Sequence, residues 1–156
     1  MLFRKHLVTL ALVGSALLVS ASLLLAGEPV NMAGASRIAL SGYDPVAFFT
    51  DSKPVPGSPA FTAEHGGAIY LFATEAHRKA FLAVPGKYLP QYGGFCAYGV
   101  SVGALFPVDV NTWQIRNGKL YLNLNSEILD AFNKDFEGNV SKAEAAWPGL
   151  AKKAGE

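Results

Sequence analysis

Residues 72–101 read FATEAHRKAFLAVPGKYLPQYGGFCAYGVS, a run that holds the single cysteine of the chain, Cys96, and one of its three histidines, His77. Thr74 carries the oxygen needed to cap a helix starting at Glu75, and Pro85 stops that helix near Val84, because the residue ahead of a proline avoids helical geometry. Within the helix His77, Ala80, Phe81 and Val84 recur at i, i+3, i+4 and i+7, so His77 is expected to face inward beside core residues. Cys96 follows in a glycine- and aromatic-rich segment with Tyr92, Gly93, Gly94, Phe95 and Tyr98 around it. An imidazole and a thiol in that setting are two borderline-soft ligands, which suggests a site.

Working outward, Asp44-Pro45 reads as a helix cap followed by proline at the first helical position, giving a helical turn over Pro45 to Phe49. The proline-rich segment from Asp51 to Pro59 reads as a surface loop. Phe61 to Glu64 and Ala68 to Phe72 then flank His65-Gly66-Gly67 as a first hairpin. Trp113 to Arg116 and Lys119 to Leu124 alternate around Asn117-Gly118, the strongest short-range hairpin signal. Ser126 is expected to cap a helix through about Phe136, with a break at Gly138-Asn139 before a short terminal helix ending at Trp147-Pro148. Strands and helices in segregated blocks predict a small single α+β domain with two β-hairpins and several short helices.

The N-terminus frames this domain. Arg4, Lys5 and His6 precede an apolar run from Leu7 to Leu25, so residues 1–26 read as a signal peptide or an uncleaved membrane anchor. The chain is therefore expected to be exported, periplasmic or extracytoplasmic, touching a membrane only through an uncleaved leader. A single cysteine excludes an intramolecular disulfide, and the roughly 130 residues that remain must be held by an ordinary core. Phe48, Phe49, Phe61, Phe72, Phe81 and Leu105 are candidates for it, with Trp113, Leu120, Leu122, Leu129, Phe132 and Trp147 further along. Thirteen Lys and Arg stand against twelve Asp and Glu, and losing Arg4 and Lys5 with the leader turns the balance slightly negative. With the lysines scattered and no basic stripe, a nucleic-acid partner is not expected.

GYDPVAFF, YLFATEAHRKAFLAVPGKYLPQYGGFCAYGVSVG and NGKLYLNLN closely resemble exported single-domain members of the YHS domain family, over roughly residues 38–150. The most specific parts are Phe72-Ala73-Thr74, Pro85-Gly86-Lys87-Tyr88 and the YGGFCAYGV block. The resemblance implies a YHS-type domain and transition-metal binding, since related modules are associated with copper-transporting ATPases and multicomponent oxygenases. Metal-associated relatives carry a cysteine pair where this chain has Ala73 and His77, so the implied ligands reduce to His77 and Cys96.

Imidazole and thiolate suit copper or zinc, and copper is favoured, because two-coordinate copper(I) needs only the pair. Tetrahedral zinc would need His65, Asp44 or Asp109 to converge as well. Against a metal role, His77 can be a core histidine bonded to backbone, and Cys96 a small apolar filler. His65 in its glycine turn is expected to point to water, and Tyr43, Tyr88, Tyr92 and Tyr98 to pack with their hydroxyls at an edge. Asp44 fits a helix cap better than a general base. A cysteine enzyme, with His77 as base and Gly93-Gly94 as oxyanion hole, has no third orienting residue, so an enzyme is the less favoured class. A non-catalytic module for a partner protein or a small apolar ligand, without metal, is the main alternative to metal binding.

Overall fold

The computed structural model describes residues 29–33 and 37–154; the leader read over residues 1–26 lies outside them. The domain is α+β, with two small sheets and several helices. The first sheet takes the order β1-β2-β4-β3, from β1 (Met32–Ala33), β2 (Ile38–Ala39), β3 (Ser58–His65) and β4 (Ala68–Phe72). β1 and β3 run antiparallel to their neighbours, whereas β2 and β4 pair in parallel through Ile38 and Ile69. The second sheet is the hairpin of β5 (Asp109–Arg116) and β6 (Lys119–Asn123). Among the described residues no helix is long and apolar enough to cross a membrane.

Both hairpins form where the sequence places them, although β3 starts inside the proline-rich loop, at Ser58. In the second, Arg116 faces Lys119 across Asn117 and Gly118, whose φ angles of 54° and 72° are those of a two-residue turn matched to strand twist. β4 alternates in burial, with Ala68, Tyr70 and Phe72 inward. Those side chains meet Phe81 of α2 (Glu75–Ala83) in one core cluster. Thr74 caps α2 as its sequence predicts, its Oγ1 accepting the His77 amide at 3.1 Å. The inward face holds for His77, Ala80 and Phe81 but fails at Val84, which leaves the helix as its C-cap and is 55% exposed. Pro85 both ends α2 and opens α3 (Pro85–Tyr88).

Three local readings are corrected. The turn after Asp44 becomes helical slightly later, as α1 (Ala47–Thr50). Asn125, not Ser126, caps α5 (Ser126–Lys134), because Asn125 is extended and its Oδ1 accepts the Ile128 amide at 2.9 Å. Gly138-Asn139 is no break, for the chain turns at Asp135 and α6 runs from Phe136 to Ala154, through Pro148. Asp135 accepts the Gly138 amide at 3.1 Å, and a side chain at 138 would collide with that carboxylate. Asn139 turns inward and donates to the Phe132 carbonyl at 3.0 Å, closing the end of α5. Helix-disfavouring residues here are the ones that make the corner.

α4 (Ala97–Ser101) joins α5 and α6 around Tyr92, Tyr121, Phe132 and Phe136, a second core cluster. A third, of Leu40, Phe48, Leu120 and Leu122, ties the first sheet region to β6.

Candidate functional site: an oriented histidine, a buried thiol and an aromatic cavity

Asp44 is fully buried and makes four contacts of one kind. Its Oδ1 accepts the amides of Val46 at 2.8 Å and Ala47 at 3.4 Å, the capping geometry its sequence position predicts. Its Oδ2 accepts the Ala73 amide at 2.8 Å and lies 2.6 Å from Nδ1 of His77. A carboxylate surrounded by donors is an acceptor, so Nδ1 is the ring nitrogen that donates to it and Nε2 is the one turned away. Nε2 faces Thr50 Oγ1 at 3.3 Å and Asp51 Oδ1 at 3.7 Å, with the His77 side chain 17% exposed. His77 is thus held by a buried carboxylate instead of by backbone, and the ring is oriented for proton transfer or for ligation through Nε2.

Cys96 is placed differently. It is 1% exposed at the start of α4, its Sγ accepting the Gly99 amide at 3.4 Å and facing Asn123 Oδ1 at 3.6 Å. Asn123, itself fully buried, also accepts the Tyr98 amide at 3.1 Å, while its Nδ2 has no partner. The polar partners of Cys96 and of His77 are disjoint sets, and no hydrogen bond joins the two residues. Among the described residues no three His, Cys, Asp or Glu side chains converge as a metal-binding group. Gly93 and Gly94 present their carbonyls to Asn31, at 2.8 Å from its amide and 3.1 Å from its Nδ2. A Cβ on Gly93 would lie 2.0 Å from the Pro29 carbonyl oxygen, so this glycine is where the segment ahead of β1 crosses the domain. The native thiol is expected to resist alkylation and to react only on unfolding, as its burial dictates. Rapid native labelling with a maleimide would contradict this placement.

A cavity of the described domain lies elsewhere, where the β3–β4 turn, residues 89–93 and α6 meet. It measures about 440 Å³. Tyr70, Tyr92 and Trp147 give it aromatic walls, and Val30, Leu89 and Pro90 apolar ones. Its polar side chains are His65, Gln91 and Glu144. Tyr92 adopts φ +54°, an unusual backbone for a bulky residue, and its ring lies 6.0 Å from that of Trp147. Tyr70 stacks 5.1 Å from Phe81, whose ring is also 5.9 Å from His65, so Phe81 backs two lining residues. His65, expected to point to water, and Tyr92, expected only to pack, both line this space. Glu144 and Trp147 were not legible as site residues, since nothing local in the sequence relates them to the hairpin.

Burial raises the phenol of Tyr70 to about 12. Burial also raises Tyr92, with further push from Tyr121 and from the charge of Glu144, and Tyr121 rises mainly by burial. Native Tyr70 keeps its proton where an unfolded tyrosine, near pH 10, has lost it, so the folded state binds more protons in that window. Its contribution is complete below about pH 10 and is lost as pH rises toward about 12, a change of about 2 to 3 kcal/mol. Urea midpoints on either side of pH 10 should show the fall, and Tyr70→Phe should flatten it.

No family model, curated protein or solved structure matches the chain.

Proposed function

We propose that this chain is an exported YHS-type module that binds a small ligand in the cavity between the first hairpin and α6, without catalysing a reaction. The cavity carries the reading: about 440 Å³, mostly apolar walls and three polar side chains in the lining fall within the range of small-molecule sites. The sequence resemblance supports the YHS-type assignment, and the basic and apolar leader supports export. Titration of isotope-labelled protein with a panel of small aromatic and alkyl probes, read at the indole N–H of Trp147, tests it. A saturable shift at Trp147 with Trp113 unmoved is expected, and it should disappear in Gln91→Trp, which adds a ring to the lining. Absence of any response across the panel would sink the reading.

A second reading has its own observation. Asp44 at 2.6 Å from Nδ1 holds His77 as a carboxylate holds a metal-ligating imidazole, leaving Nε2 toward Asp51. On this reading copper, before zinc, is held by His77 Nε2 with the Asp51 carboxylate, and the Cys96 thiol stands apart. Two side-chain donors fall short of a closed zinc site. Metal analysis of untagged protein should then show metal lost in His77→Ala and Asp51→Asn but kept in Cys96→Ser. Loss in Cys96→Ser would restore the Cys96 and His77 pair, and no stoichiometric metal in the wild type removes both versions.

A further inference from the structure

We propose that the cavity selects organic cations, an aryl or alkyl body carrying an ammonium group, over neutral and anionic ligands of the same shape. The inference rests on the reading of the cavity as a ligand site and adds the chemical class. Among its lining residues one side chain belongs to the Asp, Glu, Lys and Arg set, and it is the carboxylate of Glu144. Among the described residues no lysine or arginine lines the space. The same lining includes the rings of Tyr70, Tyr92 and Trp147, whose faces carry the negative end of the ring quadrupole. A cation resting among them meets π faces and a carboxylate together, whereas an anion meets both with the wrong sign.

The field of Glu144 reaches into the walls, for it is one of the causes that keep the Tyr92 phenol protonated. Among the described residues its ion pair is with Lys119 at 3.7 Å, and both side chains are about half exposed. Such a pair is loose and screened, so Lys119 leaves the carboxylate able to face a second cation. Lys119 does not line this cavity, although it shares a smaller neighbouring one with Glu144 and Tyr121. The aromatic walls and the carboxylate thus act on one ligand group, and the remaining apolar surface of Val30, Leu89 and Pro90 suits the uncharged body.

An isosteric pair tests charge alone: phenyltrimethylammonium and tert-butylbenzene, which share shape and differ at one atom. They are titrated into the full domain by calorimetry, and followed at the Trp147 indole, at a pH above the range in which imidazoles carry charge. The cation is expected to bind about tenfold more tightly, the scale of a partly desolvated cation–π contact. Glu144→Gln, a surface change that leaves the fold intact, should weaken the cation by about threefold to fivefold and leave the neutral probe unaltered. Lys119→Gln should strengthen the cation or leave it unchanged.

Equal or tighter binding of tert-butylbenzene overturns the ligand class while leaving the cavity as a binding site. Failure of both probes to move the Trp147 resonance overturns the class and the site reading together. A cation preference that survives Glu144→Gln in full also overturns the proposal, since the carboxylate would then have no part in it.

Discussion

Asp44→Ala is expected to destabilise the domain by about 3 to 5 kcal/mol, lowering the thermal midpoint by on the order of 10 °C. The carboxylate is the acceptor for the amides of Val46, Ala47 and Ala73 and for the His77 ring, and it is wholly buried. Alanine strands those donors away from water, and each orphaned buried donor costs about 1 to 3 kcal/mol. His77→Ala should cost far less, about 1 to 2 kcal/mol, because Asp44 keeps its three amide donors. The asymmetry identifies Asp44 as the hub and His77 as the side chain it positions. Asp44→Asn should fall between them, since one of its two acceptor oxygens becomes a donor facing the Ala73 amide. Thermal melts of the three variants measure the order, and an Asp44→Ala variant no less stable than His77→Ala would refute it.

Phe81→Ala is expected to cost a further 3 to 5 kcal/mol in its own right, as for a fully enclosed ring. Phe81 is completely buried, with Tyr70 and Phe72 centroids each at 5.1 Å and His65 at 5.9 Å. Two of those neighbours line the cavity, so the loss does not stay in the core. Tyr70 and His65 lose their backing, and ligand responses at Trp147 should weaken even in conditions where the variant remains folded. Phe81→Leu retains most of the volume and is expected to cost about 1 to 2 kcal/mol with a smaller effect on binding. Urea unfolding checks the stability, and the probe titrations check the cavity. If Phe81→Ala loses stability yet binds normally, the wall is not supported from behind.

What could be read from the sequence was local. Asn117-Gly118 and Gly66-Gly67 dictate turns through their own backbone preferences, and Thr74 announces a cap within three residues of the amide it accepts. Asp44 was legible as a cap for the same reason. Its second role was not, because His77 lies on another element and nothing in either neighbourhood records the contact. The helical corner at residues 134–139 was misread because glycine and asparagine usually interrupt helices, whereas here Asp135 and Asn139 bond across the corner and Gly138 makes room for one of them. The cavity was the least legible feature. Its walls come from a strand, a hairpin turn, a 3₁₀ segment and a long helix, and only their assembly gives the space a shape. Cys96 drew notice as the lone thiol, yet its burial against Asn123 could be known only from the packing of α4 on β6.

The crossing at Gly93 joins two things that are separate in sequence. Pro29 presses on Gly93, Asn31 is bonded to the carbonyls of Gly93 and Gly94, and Val30 between them forms part of the cavity wall. Tension applied to the chain ahead of Pro29 is therefore delivered to that wall together with β1, which starts at Met32. Pulling from that end should deform the cavity at a force too small to unfold the domain.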